Sequence, residues 1–287
     1  KTKNTFVERF EFFSDKNLKK LEKRYQEVWK KNFDLKLIKK ILKKSKIILD
    51  CGCGTGNLSL SLLKKTSLDD KIYLANDINI KNLKKLKKNF HKLKIQKKYI
   101  VSEFSNLPLK KNCVDFVISF GSLHHDRDPL LSLKKISSVV KKKGYLLLWV
   151  YLEQPLLRKL TDDYFRNKIN NDKSYNYKVF LKEITLLAKF IQDNKSKIII
   201  KKNLNSLNVK KGTFKVQEFI FRFFLRNTYN HLLGQKFSYY ENLDWFAAEN
   251  NFTFSKKKIC SELKKNKFNI IYLKKTMSGI SLIAKKV

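Results

Sequence analysis

Between Lys46 and Leu60 the chain reads KIILDCGCGTGNLSL: β-forming residues ending in Asp50, three glycines in five positions, then a helical pattern. Glycine is costly wherever a side chain could pack, so a glycine cluster between a strand and a helix marks a turn where bare backbone approaches a ligand. The pattern then repeats. KIYLANDI, YIVSEF, VDFVISF and YLLLWVY read as strands. KNLKKLKKNFHKL, with Leu83, Leu86, Phe90 and Leu93 on one face, reads as a helix. A further helix is expected from Asp128-Pro129 to about Lys142, closed by Gly144. Strands and helices alternating at this spacing predict a parallel sheet with right-handed crossovers.

Two regions depart from this rhythm. Residues 10–43 read as one long helix carrying Phe10, Phe13, Leu18, Leu21, Tyr25, Val28 and Trp29 near helical spacing. Residues 152–250 hold a helical pattern from Tyr177 to Ile191, a KSKIIIKK stretch whose state the pattern leaves open, and the aromatic run FKVQEFIFRFFLR. After them SKKKICSELKKNKF reads as a helix. NIIYLKKT and GISLIAKKV read as two strands joined by Met277-Ser278-Gly279, a hairpin that reverses the last strand of the sheet.

With 287 residues, 43% apolar and 13% aromatic, the chain can bury a large core. No window of about 20 apolar residues predicts a membrane span. The start, KTKNTFVERFEFF, lacks the apolar run of a secretory leader, and the missing Met leaves room for residues upstream. Cys51, Cys53, Cys113 and Cys260 have no partner pair at zinc spacing. They read as free thiols of a reducing cytoplasm, and no metal is expected. The net charge of +39 invites a nucleic-acid reading, but only seven of the 64 cations are Arg. Arg is the side chain that forks onto phosphate and guanine. Lysine spread along the whole chain fits a compositional bias better. A nucleic-acid surface and contact with an anionic membrane remain open.

The loop itself narrows the ligand. The dinucleotide fingerprint is G-x-G-x-x-G with pyrophosphate at the helix start. Here Gly52, Gly54 and Gly56 alternate, Asn57 stands where the fingerprint wants Gly, and Asp50 precedes them. An acid there suits a ligand with an ammonium group. Asp77 ends the second strand, where an acid accepts from ribose hydroxyls, and Glu103 ends the third, where it can meet an adenine edge. Together these point to S-adenosylmethionine (SAM).

ILDCGCGTGN, LANDI with its terminal acid, SEFSNLPL, VDFVISFGSLHHDRDP and KKKGYLLLWVY, in this order, resemble the motifs of a class I SAM-dependent methyltransferase of the small-molecule type 11 kind. The likeness spans roughly 46–151 and returns at about 236–287. It implies an α/β fold: a doubly wound, mostly parallel seven-stranded, Rossmann-like sheet with a reversed last strand, here with a mainly helical insertion after strand 5. It divides the chain into an N-terminal helical cap (1–45), a SAM-binding core (46–151), an insertion read as an acceptor lid (152–250) and the end of the core (251–287). It also implies that Asp50, Gly52, Gly54 and Gly56 line the methionine and ribose of SAM, and that Asp77 takes the ribose hydroxyls. Ile78 would pack on adenine, Glu103 and the backbone of Phe104 would take the adenine amino group, and Ser119 and Gly121 would open onto the methionine. The family more often has Asp at position 103.

On the acceptor side, His124 and His125 follow the fourth strand at the carboxyl edge of the sheet, where ligands bind, and are the candidate general bases. Asp128 reads as a helix cap. The loop SFGSLHH lacks the Pro-Pro-aromatic segment used to methylate base amines, and Cys113 stands at the wrong end of its strand for cytosine chemistry. The expected acceptor is a small molecule or a lipid- or sugar-linked group, methylated at O, with N or C open. An RNA methyltransferase of the same fold, a non-catalytic SAM-binding module and a nicotinamide oxidoreductase are the rivals. The aromatic run can form the insertion's own core, an apolar acceptor pocket or a membrane contact, and FSYYENLDWFAAEN, which resembles the family's segment before its last helix, is read as lining the acceptor site.

Overall fold

The computed structural model describes residues 18–287. Phe10, Phe13 and the rest of the expected helix before residue 18 lie outside them. The described chain divides into two compact units, one made of Leu18–Leu152 with Asn250–Val287, the other of Glu153–Glu249.

The first unit opens with two helices rather than one, α1 (Leu18–Asn32) and α2 (Leu35–Lys44). Asp34 makes the break. Its backbone is extended and its carboxylate accepts the N–H groups of Lys36 and Leu37 at 2.8 and 3.2 Å. A short acid competes with the helical backbone in mid-helix but satisfies free donors at a helix start. Then follow β1 (Ile47–Cys51), α3 (Asn57–Leu63), β2 (Ile72–Asp77), α4 (Ile80–Asn89), β3 (Gln96–Val101), β4 (Val114–Phe120), α5 (Pro129–Val139) and β5 (Val140–Tyr151). Asp128 caps α5 as the sequence predicts, accepting from Leu130 and Leu131.

The end of α5 differs from the sequence reading. The helix stops at Val139 and the strand begins at once, pairing Val140 with Val114. Lys141 reaches the Asp115 carboxylate at 2.8 Å, and Gly144 lies in the strand rather than closing a helix. A Cβ at Gly144 would stand 2.8 Å from the Lys141 carbonyl and 3.0 Å from that of Asp115. The glycine is therefore needed for close backbone approach at the irregularity between Val114 and Phe116.

The second unit contains α6 (Leu156–Asn171), α7 (Tyr177–Asp193), β6 (Lys197–Ile200), β7 (Gly212–Lys215), α8 (Val216–Phe223) and α9 (Gly234–Phe246). KSKIIIKK resolves as β6, paired antiparallel with β7. The aromatic run splits between β7 and α8. Phe214 and Phe223 pack with Val209 in a small core, Phe221 is buried, and Phe224 stays exposed.

Back in the first unit, α10 (Lys256–Lys265) leads to β8 (Phe268–Lys275) and β9 (Gly279–Lys286). The seven strands run in the order β3-β2-β1-β4-β5-β9-β8, with β9 antiparallel to both of its neighbours. Strand alternation divides the core between two faces. Ile48, Tyr73, Phe116 and Ile118 point to α1–α4 with Trp29, Ile38, Leu63 and Leu86. Leu49, Leu74, Val117 and Leu146 point to α5 and α10 with Ile136, Ile259 and Leu263. Trp29 is fully enclosed and donates its indole N–H to the Leu58 carbonyl at 3.0 Å.

Candidate functional site at the carboxyl edge of the sheet

The carboxyl ends of β1, β2, β3 and β4 gather on one edge because these strands run parallel and in register. Between β1 and α3 the loop turns through Gly52, Gly54 and Gly56, with φ of 70°, 54° and 74°. Side chains rarely adopt these angles. At Gly52 space forbids one as well, since a Cβ would lie 2.3 Å from that of Ser122 and 3.0 Å from the Phe104 ring. The absence of a side chain lets the loops after β1, β3 and β4 close on one another. Ser122 fastens them, donating to the Cys51 carbonyl at 2.8 Å and lying 3.3 Å from the Ser119 hydroxyl.

Asp77 bridges the same edge. One carboxylate oxygen accepts from Gly54 N at 2.9 Å, the other from Asn79 N at 2.8 Å and Asn82 Nδ2 at 3.1 Å. Asp50 turns toward the α3 side of the sheet, where its Oδ2 accepts from the Ser59 hydroxyl and, at 2.6 Å, from the Tyr73 hydroxyl. Both acids are buried. Burial pushes the Asp50 carboxyl up to about 6 against the pull of its two hydroxyl partners, and the charge of Asp77 adds to the rise. Burial likewise raises Asp77, although its amide partners oppose the shift. Neither carboxylate forms an ion pair among the described residues, in a chain with 64 Lys and Arg.

The acidic character continues along the edge. Glu103 precedes the short turn Phe104–Asn106, and Asp126 lies in the loop after β4. Burial raises Asp126, with the charge of Glu103 adding in the same direction. Phe104 is buried, whereas Ile78 is 45% exposed directly beyond Asp77, leaving an apolar surface beside the acid. A carboxylate pair without cations, a bare glycine turn and a neighbouring apolar face fit a cationic nucleoside, and fit a pyrophosphate poorly.

The histidines lie beside this edge in a short turn, Leu123–His125. His124 is fully enclosed, its ring 3.7 Å from that of Tyr151 and 4.3 Å from that of His125. His125 donates from Nδ1 to the Asn250 carbonyl at 2.8 Å, which leaves Nε2 as its basic nitrogen. Asn250 is the residue at which the chain re-enters the first unit. Of the insertion residues singled out in the sequence, Trp245 and Phe246 are buried within their own unit, and Tyr239 packs edge-on to Tyr240.

Sequence reasoning placed Asp50, the three glycines, Asp77, Ile78, Glu103, Phe104, Ser119, Gly121 and the histidines at strand ends, and the fold brings those ends to one edge. It missed Ser59, Tyr73 and Ser122. Ser59, two residues into α3, carried a readable signal, because a small hydroxyl residue in the first turn can reach back under the loop. Tyr73 carried none. Its role depends on the β1–β2 register that sets Ile48 against it and brings its ring under Asp50.

Residues 49–148 match the family model described as a methyltransferase domain. An uncharacterized protein of Methanocaldococcus jannaschii, MJ0638, is 29% identical over 144 residues, which cover 50% of this chain and 52% of that protein. The chain thus spans about half the length of this curated relative. Among solved structures, a SAM-dependent methyltransferase from Aquifex aeolicus is 14% identical, with 98% of each chain covered and a TM-score of 0.49. Another from Methanosarcina mazei is 17% identical, covering 88% of this chain and 97% of its own, with a TM-score of 0.48.

Proposed function

We propose that this chain, whose residues 49–148 match a methyltransferase domain, is a class I SAM-dependent methyltransferase that moves the methyl group to a small-molecule, lipid- or sugar-linked acceptor. Oxygen is the favoured acceptor atom, with nitrogen and carbon as alternatives. The observation that carries the reading is the pair of buried carboxylates, Asp50 and Asp77, which among the described residues form no ion pair at the glycine loop.

Bound SAM supplies an electrophilic methyl on a sulfonium. The chain's own residues have to hold that group and align the acceptor lone pair with the bond that breaks. Such alignment is worth about 7–11 kcal/mol of barrier. In this reading the Asp50 and Asp77 charges favour the cationic ligand, and the left-handed glycine turn lets it meet the main chain. Asp77 also offers carboxylate oxygens to ribose, and the exposed Ile78 covers one face of adenine. Glu103 with the backbone of Phe104 reads the base edge, and Ser119 and Gly121 border the methionine. His125 takes the acceptor proton at Nε2, since its tautomer is set by the Asn250 carbonyl. His124, enclosed against Tyr151, shapes the turn.

The insertion supplies acceptor specificity in this reading, as additions to such folds commonly do. No helix among the described residues is long and apolar enough to cross a membrane. The four free cysteines support a reducing, cytoplasmic setting.

Calorimetry with SAM, its demethylated product and NAD tests the cofactor. Heat for the first two and none for NAD supports the proposal, and the reverse pattern ends it. Turnover of SAM against a metabolite extract, with bulk RNA alongside, tests the acceptor. Consumption driven by RNA, falling steeply with salt, would replace the small-molecule reading by the nucleic-acid one.

A further inference from the structure

Arginine is scarce in this chain, yet three of the seven gather around a single tryptophan in the second unit. The guanidinium carbons of Arg166 and Arg226 each lie 4.4 Å from the centre of the Trp245 ring, and that of Arg158 lies 5.3 Å from it and 4.5 Å from Phe221. Asp162 organises the group. Its carboxylate accepts from Arg158 Nε at 3.2 Å, from Trp245 Nε1 at 2.9 Å and from the Arg226 backbone N–H at 2.9 Å. Arg166 is committed elsewhere, to the Trp245 carbonyl at 3.0 Å and to Asp163 at 3.2 Å.

These bonds leave a surplus of positive charge and of donors. Arg158 is fully enclosed, but among the described residues its Nη1 and Nη2 have no hydrogen-bond partner, and neither do Nε and Nη1 of Arg226. Burial pushes Arg158 down to about 10; Asp162 opposes that shift while Arg226 and Arg166 add to it. It remains charged at neutral pH. A buried guanidinium with unmet donors is costly, and native proteins satisfy such groups with a counter-charge or ordered water. The planar fork of Arg fits a carboxylate or phosphate face, as Lys does not. Arg226 is half-buried.

We propose that Arg158 and Arg226, held by Asp162 and Trp245, form an oxyanion site that takes the carboxylate or phosphate group of a small molecule. That this group belongs to the methyl acceptor rests on the methyltransferase reading; the site itself does not.

Seven arginines allow a resolved test. Protein labelled with ¹⁵N only at arginine is titrated, without SAM, with inorganic phosphate and separately with acetate, and the seven Nε–H signals are followed. Saturable shifts of Arg158 and Arg226 are expected, with Arg24 and Arg127 unmoved. The stronger of the two probes identifies the class of anion. Arg226→Gln weakens binding by about tenfold or more, whereas Lys197→Gln, at an exposed lysine of β6, leaves it unchanged. Arg158 is too deeply packed for its substitution to be informative, so Arg226 carries the test. Equal drift of all seven signals, no saturation with either anion, or equal effects of the two variants would each overturn the proposal. A SAM isotherm on the Arg226→Gln protein keeps this outcome separate from the cofactor assignment.

Discussion

The Tyr73 hydroxyl donates to Asp50 Oδ2 across 2.6 Å, from the neighbouring strand and beneath the glycine loop. With Ser59 it keeps a buried carboxylate solvated by protein where water is excluded. The two hydroxyls pull the Asp50 carboxyl down, but burial outweighs them.

Asp50 therefore makes stability depend on pH. Its carboxyl stands at about 6 in the folded chain against 3.8 unfolded, so the folded state holds the proton more tightly. The protein gains stability as pH falls from about 6 toward 4, by roughly 3 kcal/mol from this group, and lacks that gain above 6. Asp50→Asn keeps an acceptor for both hydroxyls and removes the charge. Urea unfolding at pH 4, 5, 6 and 7 is expected to show a flatter profile for this variant, and parallel profiles would contradict the burial argument.

Ligand affinity follows from the same proton. If Asp50 must be ionised to hold a cationic nucleoside, SAM affinity falls below about pH 6, approaching tenfold per pH unit. Calorimetry at pH 5, 6 and 7 reads it directly. An affinity that does not change over this range would remove Asp50 from the binding site.

Gly52→Ala tests how tightly the loops close. The new methyl group would meet Ser122 and the Phe104 ring from a left-handed backbone position. A loss of about 1–3 kcal/mol from overpacking is expected, together with weaker SAM binding. A variant with wild-type melting and affinity would show that the loops tolerate separation.

The two histidines are expected to fail differently. His125→Ala lowers kcat by about 10²–10⁴-fold and removes the acidic limb of the pH–rate profile. His124→Ala, which empties a packed site against Tyr151, costs roughly 3 kcal/mol of stability. An unchanged kcat and pH profile in the His125 variant would exclude it as the base.

Much of this architecture is legible in the chain because its signals are local. A strand of β-formers that ends in alternating glycines can hardly continue as anything but a turn, and Asp128-Pro129 can hardly be anything but a helix start. Asp34 was equally readable as a cap, but the apolar periodicity on both sides of it masks the break. The boundary at Val139–Val140 was not readable, because nothing in VVKKKG reveals that Val114 and Asp115 will claim the segment for the sheet.

The sequence alone determined the order of strands and helices from β1 to β5, the reversed final hairpin and the strand-end positions of the acids, glycines and histidines, since each depends on residue type and spacing along a few turns of chain. Only the tertiary structure decided that Tyr73 and Ser59 support Asp50, that Ser122 closes against Gly52, that Asn250 orients His125 and that three arginines surround Trp245. These contacts join residues brought together by sheet register and helix packing. Their energies come from shared burial, which no local pattern encodes.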